Sequence, residues 1–485
     1  MGNEQKGSNE QRGGFASSFG FLMAAVGSAV GLGNLWGFPY KMGANGGFAF
    51  LVVYLVLAVL VGFVIMLGEF VIGRKTGKSV LCAYPRLGKK YSFLGVFGVL
   101  VPVLILSFYC VLGGYCIKYA LANLGDVFHA SWGYLASGMD TGTFFGAFTS
   151  DMGAATVFSL IFVLLTGLII LGGVSGGIEK FSKVAMPALF VLLVIVIIRS
   201  VTLPGASAGL EFMFKPNWEP FQGLGWLSVL KTAAGQMFFS LSLGMGIMVT
   251  FGSYLPKSEN LIKQSVVVPA ADTIVAIMAG LAVMPAVFAA GLEPGAGPGL
   301  LYVTLQTVFE SMGAAGPIFG FMLYFLVFIA AITSSVSLLE VLTSSFIDKA
   351  EEKGKAPNRK LATIVTTLVV AAGATIVSCD GLGANGVWVP FQKCFEEIPV
   401  WCDCWLDFFD CISEGILMPV SCLIMSLLIG WKWGPKFLQD EIEQEGNLFK
   451  AKGFIMFCFK FAAPIILLFV LFGQLVDFGI LNVAI

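Results

Sequence analysis

The sequence GSAVGLGN at residues 27–34 interrupts the first apolar segment of the chain, and SLSLGMG at residues 240–246 interrupts a later one. Each glycine weakens a helix by about 1 kcal/mol relative to alanine, so both segments are expected to unwind part-way. Unwound backbone inside a membrane is tolerated only where protein or a watery cavity satisfies its peptide groups. Two such interruptions predict a mid-membrane site where freed carbonyls hold cations and half-helix ends hold an anionic group.

The composition is that of an integral membrane protein. The 485 residues are 57% apolar and 12% charged, with a mean hydropathy of +0.90, whereas soluble chains carry about 25% charged residues. Apolar segments of the roughly 20 residues that cross a bilayer predict eleven transmembrane helices and make the lipid bilayer a partner. A net charge of −1 indicates no nucleic-acid partner.

Most lysines and arginines lie in the N-terminal segment and in alternate loops, while the opposite loops hold little beyond Lys215 and Lys393. By the positive-inside rule, the N-terminus is expected in the cytoplasm. An odd number of spans places the C-terminus outside the cell. The sequence therefore predicts a multi-pass protein of the cell (plasma) membrane.

The interrupted spans are the first and the sixth, which predicts an inverted repeat. Spans 1–5 would cover about 16–201, spans 6–10 about 229–430, and an accessory span about 453–480. Residues 1–14 are expected to form a disordered cytoplasmic tail, and residues 15–485 a single transporter domain. The predicted fold is all-α, with helices 1 and 6 unwound at the midplane.

Oxygen atoms suited to a hard cation such as sodium are available in two segments. The first interruption frees carbonyls and adds an amide oxygen, at Gly27, Ala29, Val30 and Asn34. In the eighth apolar segment, three residues share one helical face: Ala330, Thr333 and Ser334. Alone, the glycines would suggest helix packing, and the hydroxyls would bond to their own helix. The second interruption favours ion binding.

Asp272 is an ionisable residue within the seventh apolar segment, with no basic residue between Lys263 and the end of that segment. Intramembrane carboxylates are expensive and functional by default, and an adjacent sodium ion would offset the desolvation. The alternative is a shallow, hydrated position. Glu69 and Glu340 are interpreted as structural partners for loop charges or helix ends.

Together these motifs resemble the neurotransmitter:sodium symporters, particularly their bacterial amino-acid-transporting members. The matching segments include GSAVGLGN (27–34), FPY (38–40), NGG (45–47), FFSLSLGMG (238–246) and TSS (333–335). The resemblance implies a leucine-transporter-type fold with five-plus-five inverted repeats. It also implies a sodium-coupled symporter that works by alternating access, not an enzyme.

The resemblance further implies a set of ligands. The first sodium would bind the substrate carboxylate together with Ala29, Asn34, Ser240 and Asp272. The second would bind Gly27, Val30, Ala330, Thr333 and Ser334. The implied substrate pocket comprises Ser28, Ala29, Gly31, Leu32, Gly33, Ile105, Tyr109, Phe239, Ser240, Ser242, Met245, Ser334 and Leu338. Tyr109 and Phe239 would form an aromatic lid.

The resemblance bears on the class of substrate through Gly31. Monoamine transporters of this family look to have an aspartate at this position, which pairs with the amine of the substrate. Its absence leaves room for a substrate that brings its own carboxylate, and the apolar lining favours a hydrophobic or aromatic L-amino acid. Chloride supplies a negative charge in chloride-dependent relatives. Because Asp272 would supply that charge here, and Ala276 offers no hydroxyl, the sequence predicts chloride independence.

The gates implied by the resemblance are partly altered. An inner gate would pair Arg12 with Asp348. The outer-gate acid is present as Asp410, but the arginine position is Gly37, and Lys41, one helical turn on, could substitute. The alternative is an outer gate with no ion pair.

Five cysteines lie in or beside the predicted outer loop: Cys379, Cys394, Cys402, Cys404 and Cys411. Disulfides persist outside the cell, so pairing and free thiols both remain open.

Two other functions also remain open: a proton-coupled amino-acid carrier of the same fold, with Asp272 as proton acceptor, and a transport-inactive membrane receptor.

Overall fold

The computed structural model describes residues 14–293, 299–387 and 402–481, and every regular element in these ranges is helical. Arg12 and Cys394 lie outside the described residues. We number the principal helices α1 (Ser18–Ala29), α2 (Gly33–Ala44), α3 (Phe48–Thr76), α4 (Val80–Leu87), α5 (Lys89–Val127), α6 (Thr141–Ser150), α7 (Met152–Leu171), α8 (Val174–Val201), α9 (Ala206–Phe214), α10 (Gly225–Ser240), α11 (Ile247–Gly252), α12 (Leu261–Ala289), α13 (Leu305–Ser311), α14 (Gly313–Glu352), α15 (Arg359–Asp380), α16 (Trp405–Ile442) and α17 (Lys452–Val476).

Nine helices of the described residues are long and apolar enough to cross a membrane, and the bent pair α1–α2 makes a tenth. The two halves of that pair meet at 45°. Helices α10 and α11, on either side of the second interruption, have 16 and 6 residues. Each is shorter than a full span. The predicted number of eleven is consistent with this arrangement, with α10 and α11 as the remaining interrupted span.

The first interruption falls where the glycine pattern predicts it. Helix α1 ends because Val30 is extended, with φ −74° and ψ 104°, and helical structure resumes at Gly33. The side chain of Asn34 folds back, and its Oδ1 accepts a hydrogen bond from the Gly31 N–H at 3.0 Å. Part of the freed backbone is therefore satisfied by a side chain of the interruption itself.

The second interruption depends on residues with positive φ. Ser242, Gly244 and Gly246 have φ values of 55°, 76° and 74°, a region that glycine occupies without steric penalty. A Cβ on Gly244 would also lie 2.9 Å from the carbonyl oxygen of Met418 on α16. Glycine is thus required at residue 244 by both conformation and packing.

The interrupted helices lie against a pair of long helices, α5 and α14, which pack on each other along much of their length. Helices α7 and α15 cover that pair, and α12 packs between α8, α9 and the first interruption. The residues between these layers form a buried apolar core. Both interruptions are therefore enclosed by protein, as unwound backbone in a membrane requires.

Buried ion pairs connect α14 to its neighbours near the C-terminal end of α14. Glu340 is fully buried, and its Oε2 lies 2.5 Å from Arg359 at the start of α15. Asp348 accepts the backbone N–H of Ser79 at 2.6 Å and lies 3.4 Å from the Lys78 ammonium. Glu340 thus pairs with a charge at a helix end, one of the two kinds of partner that the sequence suggested.

We predict that Arg359→Gln lowers the stability of the protein by about 3–5 kcal/mol, because it leaves the Glu340 carboxylate buried with the Tyr254 hydroxyl but without a cation. Thermal unfolding of the detergent-purified protein measures this. The double variant Glu340→Gln with Arg359→Gln should recover most of the loss. Lys349→Gln is the matched control, since Lys349 pairs with Glu352 at the surface and such pairs contribute about 0–1 kcal/mol. Equal losses for Arg359→Gln and Lys349→Gln would contradict the prediction.

Candidate ion and substrate site

A buried carboxylate connects four segments of the chain. Asp272 of α12 is 0% exposed, which rules out the shallow, hydrated position considered above. Its carboxylate accepts hydrogen bonds from Asn34 Nδ2 at 2.8 Å, Ser240 Oγ at 3.0 Å and Tyr54 OH at 3.1 Å. Asn34 is the last residue of the first interruption, and Ser240 is the first residue of the second. The carboxylate therefore lies between the two interruptions, within hydrogen-bonding distance of both.

Three of the four protein residues predicted for the first sodium thus lie together: Asn34, Ser240 and Asp272. The fourth, Ala29, lines the adjoining cavity. Tyr54 on α3 is a further group that contacts this site, and the sequence analysis did not identify it. A tyrosine among the apolar residues of a buried span was its only signal.

A second group of oxygens surrounds Ser334 on α14. Its Oγ lies within hydrogen-bonding distance of four carbonyl oxygens, those of Gly27 (3.3 Å), Ser28 (3.1 Å), Val30 (3.3 Å) and Ala330 (3.2 Å). A hydroxyl has one hydrogen and can donate to only one of them. The other carbonyl oxygens converge on the same small volume without a hydrogen-bond donor from Ser334. Such a group of oxygens fits a sodium ion, which prefers oxygen ligands.

Thr333 lies beside this group, with its Oγ1 2.9 Å from the Ala330 carbonyl. The five residues predicted for the second sodium are therefore neighbours in the structure. Ser28, whose carbonyl also points at Ser334 Oγ, was predicted only for the substrate pocket. We call the oxygens around Ser334 the Ser334 cluster.

A cavity lies between the two interruptions, α5 and α14. It is lined by Ser28, Ala29, Gly31, Gly33, Ile105, Tyr109, Phe239, Ser242, Met245, Ile247, Ser334 and Leu338. All but Ile247 belong to the predicted substrate set. Two predicted residues, Leu32 and Ser240, do not line it: the Leu32 N–H donates to Tyr109 OH at 3.1 Å, and Ser240 bonds to Asp272.

Gly31 keeps this cavity open. A Cβ at residue 31 would lie 2.5 Å from Ser334 Oγ and 2.7 Å from Tyr109 OH. Any side chain would therefore fill space between the Ser334 cluster and the tyrosine. The two interruptions also contact each other here, since Ser242 Oγ donates to the Ser28 carbonyl at 3.0 Å.

At the predicted outer gate, packing explains why residue 37 is glycine and not arginine. A Cβ on Gly37 would lie 2.9 Å from Gln236 Oε1, and Gln236 Nε2 donates to the Gly33 carbonyl at 2.6 Å. Lys41 attracts Asp410 and also Glu414, one turn further along α16. Glu414 was not identified from the sequence, and it adds a second acid to this gate.

At the predicted inner gate, the structure describes Asp348 but not Arg12. Phe15 lies edge-on against three aromatic rings: Phe21, Phe251 and Tyr254. Within the described ranges, Cys379, Cys404 and Cys411 are free thiols.

Two interrupted helices that enclose a cavity between two oxygen sites define an ion-coupled membrane transporter. The chain matches the model of the Sodium:neurotransmitter symporter family over residues 12–141 and 145–483, and it belongs to that family. The resemblance inferred from the sequence is thereby confirmed.

Similar proteins agree with this assignment. The chain is 35% identical to the sodium-dependent transporter YhdH of Bacillus subtilis (strain 168) over 464 residues, 94% of this chain and 96% of that protein. It is 31% identical to a sodium-dependent transporter of Haemophilus influenzae, over 96% and 99% of the two chains. The crystal structure of MhsT in complex with L-phenylalanine matches with a TM-score of 0.81 and 35% identity, covering 96% of this chain and 100% of MhsT. This protein is therefore a multi-pass, sodium-dependent transporter of a small molecule.

We predict that Ser334→Ala raises the sodium concentration for half-maximal thermal stabilisation roughly tenfold, or about 1.4 kcal/mol. The reason is that the substitution removes one oxygen ligand from the Ser334 cluster. Ser335→Ala is the matched control, because Ser335 Oγ instead contacts Thr166 at 2.9 Å and the Ile332 carbonyl at 3.0 Å. If both variants shift the sodium dependence equally, the cluster is not a sodium site.

Proposed function

We propose that the protein imports a hydrophobic or aromatic L-amino acid together with two sodium ions, without chloride. One observation carries this proposal: the cavity at Gly31 is lined by Ser334 of the Ser334 cluster and by Gly33 and Phe239, the chain neighbours of Asn34 and Ser240 in the Asp272 site. A substrate bound there can contact the interruptions with its charged groups while its side chain contacts the apolar residues Ile105, Met245 and Leu338.

The first sodium would bind beside Asp272, Asn34 and Ser240, with the carbonyl of Ala29 and the substrate carboxylate as further ligands. In this arrangement the substrate itself completes the ion site. Binding of the ion and binding of the amino acid would then strengthen each other by the same factor, as linkage requires.

The second sodium would bind in the Ser334 cluster, through the carbonyls of Gly27, Val30 and Ala330 and the hydroxyls of Thr333 and Ser334. This cluster joins α14 to the first interruption. Occupation by a cation would hold these two elements together, so the site would respond to movement of α1 against the α5–α14 pair.

An amino-acid substrate is supported by the space at Gly31 and by the apolar lining. Tyr109 and Phe239 would cover the bound side chain. Transfer of a large apolar side chain contributes about 1.5–3 kcal/mol. That is enough to prefer large apolar amino acids over glycine or alanine. MhsT, solved with L-phenylalanine, is similar along nearly the whole chain.

For transport by alternating access, we propose that the N-terminus lies in the cytoplasm and the C-terminus outside the cell, in the plasma membrane. Asp348 would then belong to the inner gate with Arg12, and Lys41 with Asp410 to the outer gate. Glu414 would be part of the same outer gate.

A thermal-shift screen of the twenty amino acids tests the proposal, with sodium or potassium chloride at one fixed pH. We expect stabilisation by large apolar amino acids only in sodium. Gly31→Ala should abolish that shift, because its Cβ would meet Ser334 and Tyr109. Gly146→Ala is the matched control, since nothing lies within 4 Å of the added atom.

Stabilisation by amino acids that is independent of sodium would instead support a proton-coupled carrier. Binding without uptake into proteoliposomes would support a transport-inactive receptor.

We predict that replacing chloride with gluconate leaves uptake unchanged. Three neutral donors, on Asn34, Tyr54 and Ser240, already point at the Asp272 carboxylate, and a chloride ion there would meet a like charge. Asp272→Asn should reduce uptake roughly tenfold or more in both salts, about 1.4 kcal/mol or more of lost sodium binding. Asp151→Asn is the matched control, because Asp151 caps α7 at the surface and asparagine caps helices equally well. Loss of uptake of the unmodified protein in gluconate would contradict the prediction.

A further inference from the structure

A second buried carboxylate contacts the second interruption away from the ion and substrate site. Glu69 of α3 is 2% exposed. Its Oε1 accepts a hydrogen bond from the Gly244 N–H at 2.7 Å. Its Oε2 is buried and has no hydrogen-bond partner among the described residues. One half of this carboxyl group is thus satisfied by the interruption, and the other half is not.

Glu69 also lines a small cavity between α3, α4, α5, α16 and the second interruption. Ser421 of α16 lines the same cavity, and its hydroxyl is likewise buried without a partner in the described part of the chain. The remaining lining residues include Tyr84, Gly246 and Cys422, and none of the lining residues is basic.

In the described part of the chain, the Gly244 N–H donates to the Glu69 carboxyl group. The titratable side chains that share its cavity are Tyr84 on α4 and Cys422 on α16, and neither is basic. The nearest arginine along α3, Arg74, is paired with Glu441 at 2.9 Å. Glu69 therefore differs from Glu340, which is equally buried but paired with Arg359.

A buried carboxylate without a cation is strongly disfavoured, and such a group normally becomes neutral. A protonated carboxyl group has an O–H donor as well as acceptor capacity. The proton would therefore reside on Oε2, facing the cavity, while Oε1 continues to accept the Gly244 N–H.

We infer that Glu69 and its cavity form a proton-binding site, distinct from Asp272, and that the site is protonated while Glu69 holds the second interruption. The proton makes the contact between α3 and Gly244 a neutral one. If the interruption moved away and water reached Oε2, the charged form would become accessible. Proton occupancy at Glu69 would then favour the conformation described here. This inference does not depend on which substrate is carried.

Infrared spectroscopy of the full-length, detergent-purified protein in sodium tests the inference. A protonated carboxyl group has a carbonyl stretch separate from that of carboxylates. Cell-free synthesis with glutamate labelled with carbon-13 at its side-chain carboxyl shifts the glutamic acid component and leaves the aspartic acid component in place. We expect a label-sensitive band of this kind in the unmodified protein. It should be lost in Glu69→Gln. In Glu69→Asp it should be replaced by a band that the label does not shift.

Glu340→Gln is the matched control and should leave the band unchanged, because Glu340 has the Arg359 guanidinium 2.5 Å away, a cation that the Glu69 cavity lacks. Glu414→Gln assigns any component that arises at the outer gate. Absence of a label-sensitive band in the unmodified protein would overturn the inference whether or not the variants fold. A band that persists in both Glu69 variants would overturn it too. Because no transport is measured, the result is separate from failure of the proposed amino-acid symport.

Discussion

The requirement to satisfy peptide groups in the interior of a membrane protein determines this structure. Where α1 and α10 stop, the freed N–H and C=O groups must find partners within the protein. The first interruption uses Asn34 and Ser334, and the second uses Glu69. Asn34 and Ser334, which satisfy the first interruption, also belong to the two oxygen sites, whereas Glu69 lies away from them. Stability of the first interruption and the geometry of the oxygen sites therefore depend on one set of contacts.

The features predicted from sequence are those that a short segment encodes by itself. The two glycine-rich interruptions, the helical face shared by Ala330, Thr333 and Ser334, and the isolated acid Asp272 could each be read locally. The family resemblance then related these segments to one another. Tyr54 could not be found in this way, because its contact with Asp272 joins residues 218 positions apart. The same holds for Gln236 and Glu414, whose roles depend on which helix faces which.

The two interruptions act as one unit because they contact each other and share neighbours. Ser242 bonds to Ser28 directly, and Asp272 bonds to Asn34 of the first interruption and to Ser240 of the second. The cavity lies between them, so anything that binds there contacts both interruptions at once. Helices α5 and α14 form the opposite wall through Tyr109 and Ser334. A movement of the interrupted helices relative to α5 and α14 would therefore alter the cavity and the Ser334 cluster together.

The position of Gln236 has a consequence for how this transporter could be altered by mutation. Its amide nitrogen is committed to the Gly33 carbonyl, and its oxygen occupies the space beside Gly37 where a longer side chain would have to start. Introducing arginine at residue 37 alone would displace Gln236 and leave a freed carbonyl without its donor. Two positions, 37 and 236, are thus constrained to change together. Lys41, one helical turn along, carries a positive charge in this region without occupying the space of that glutamine.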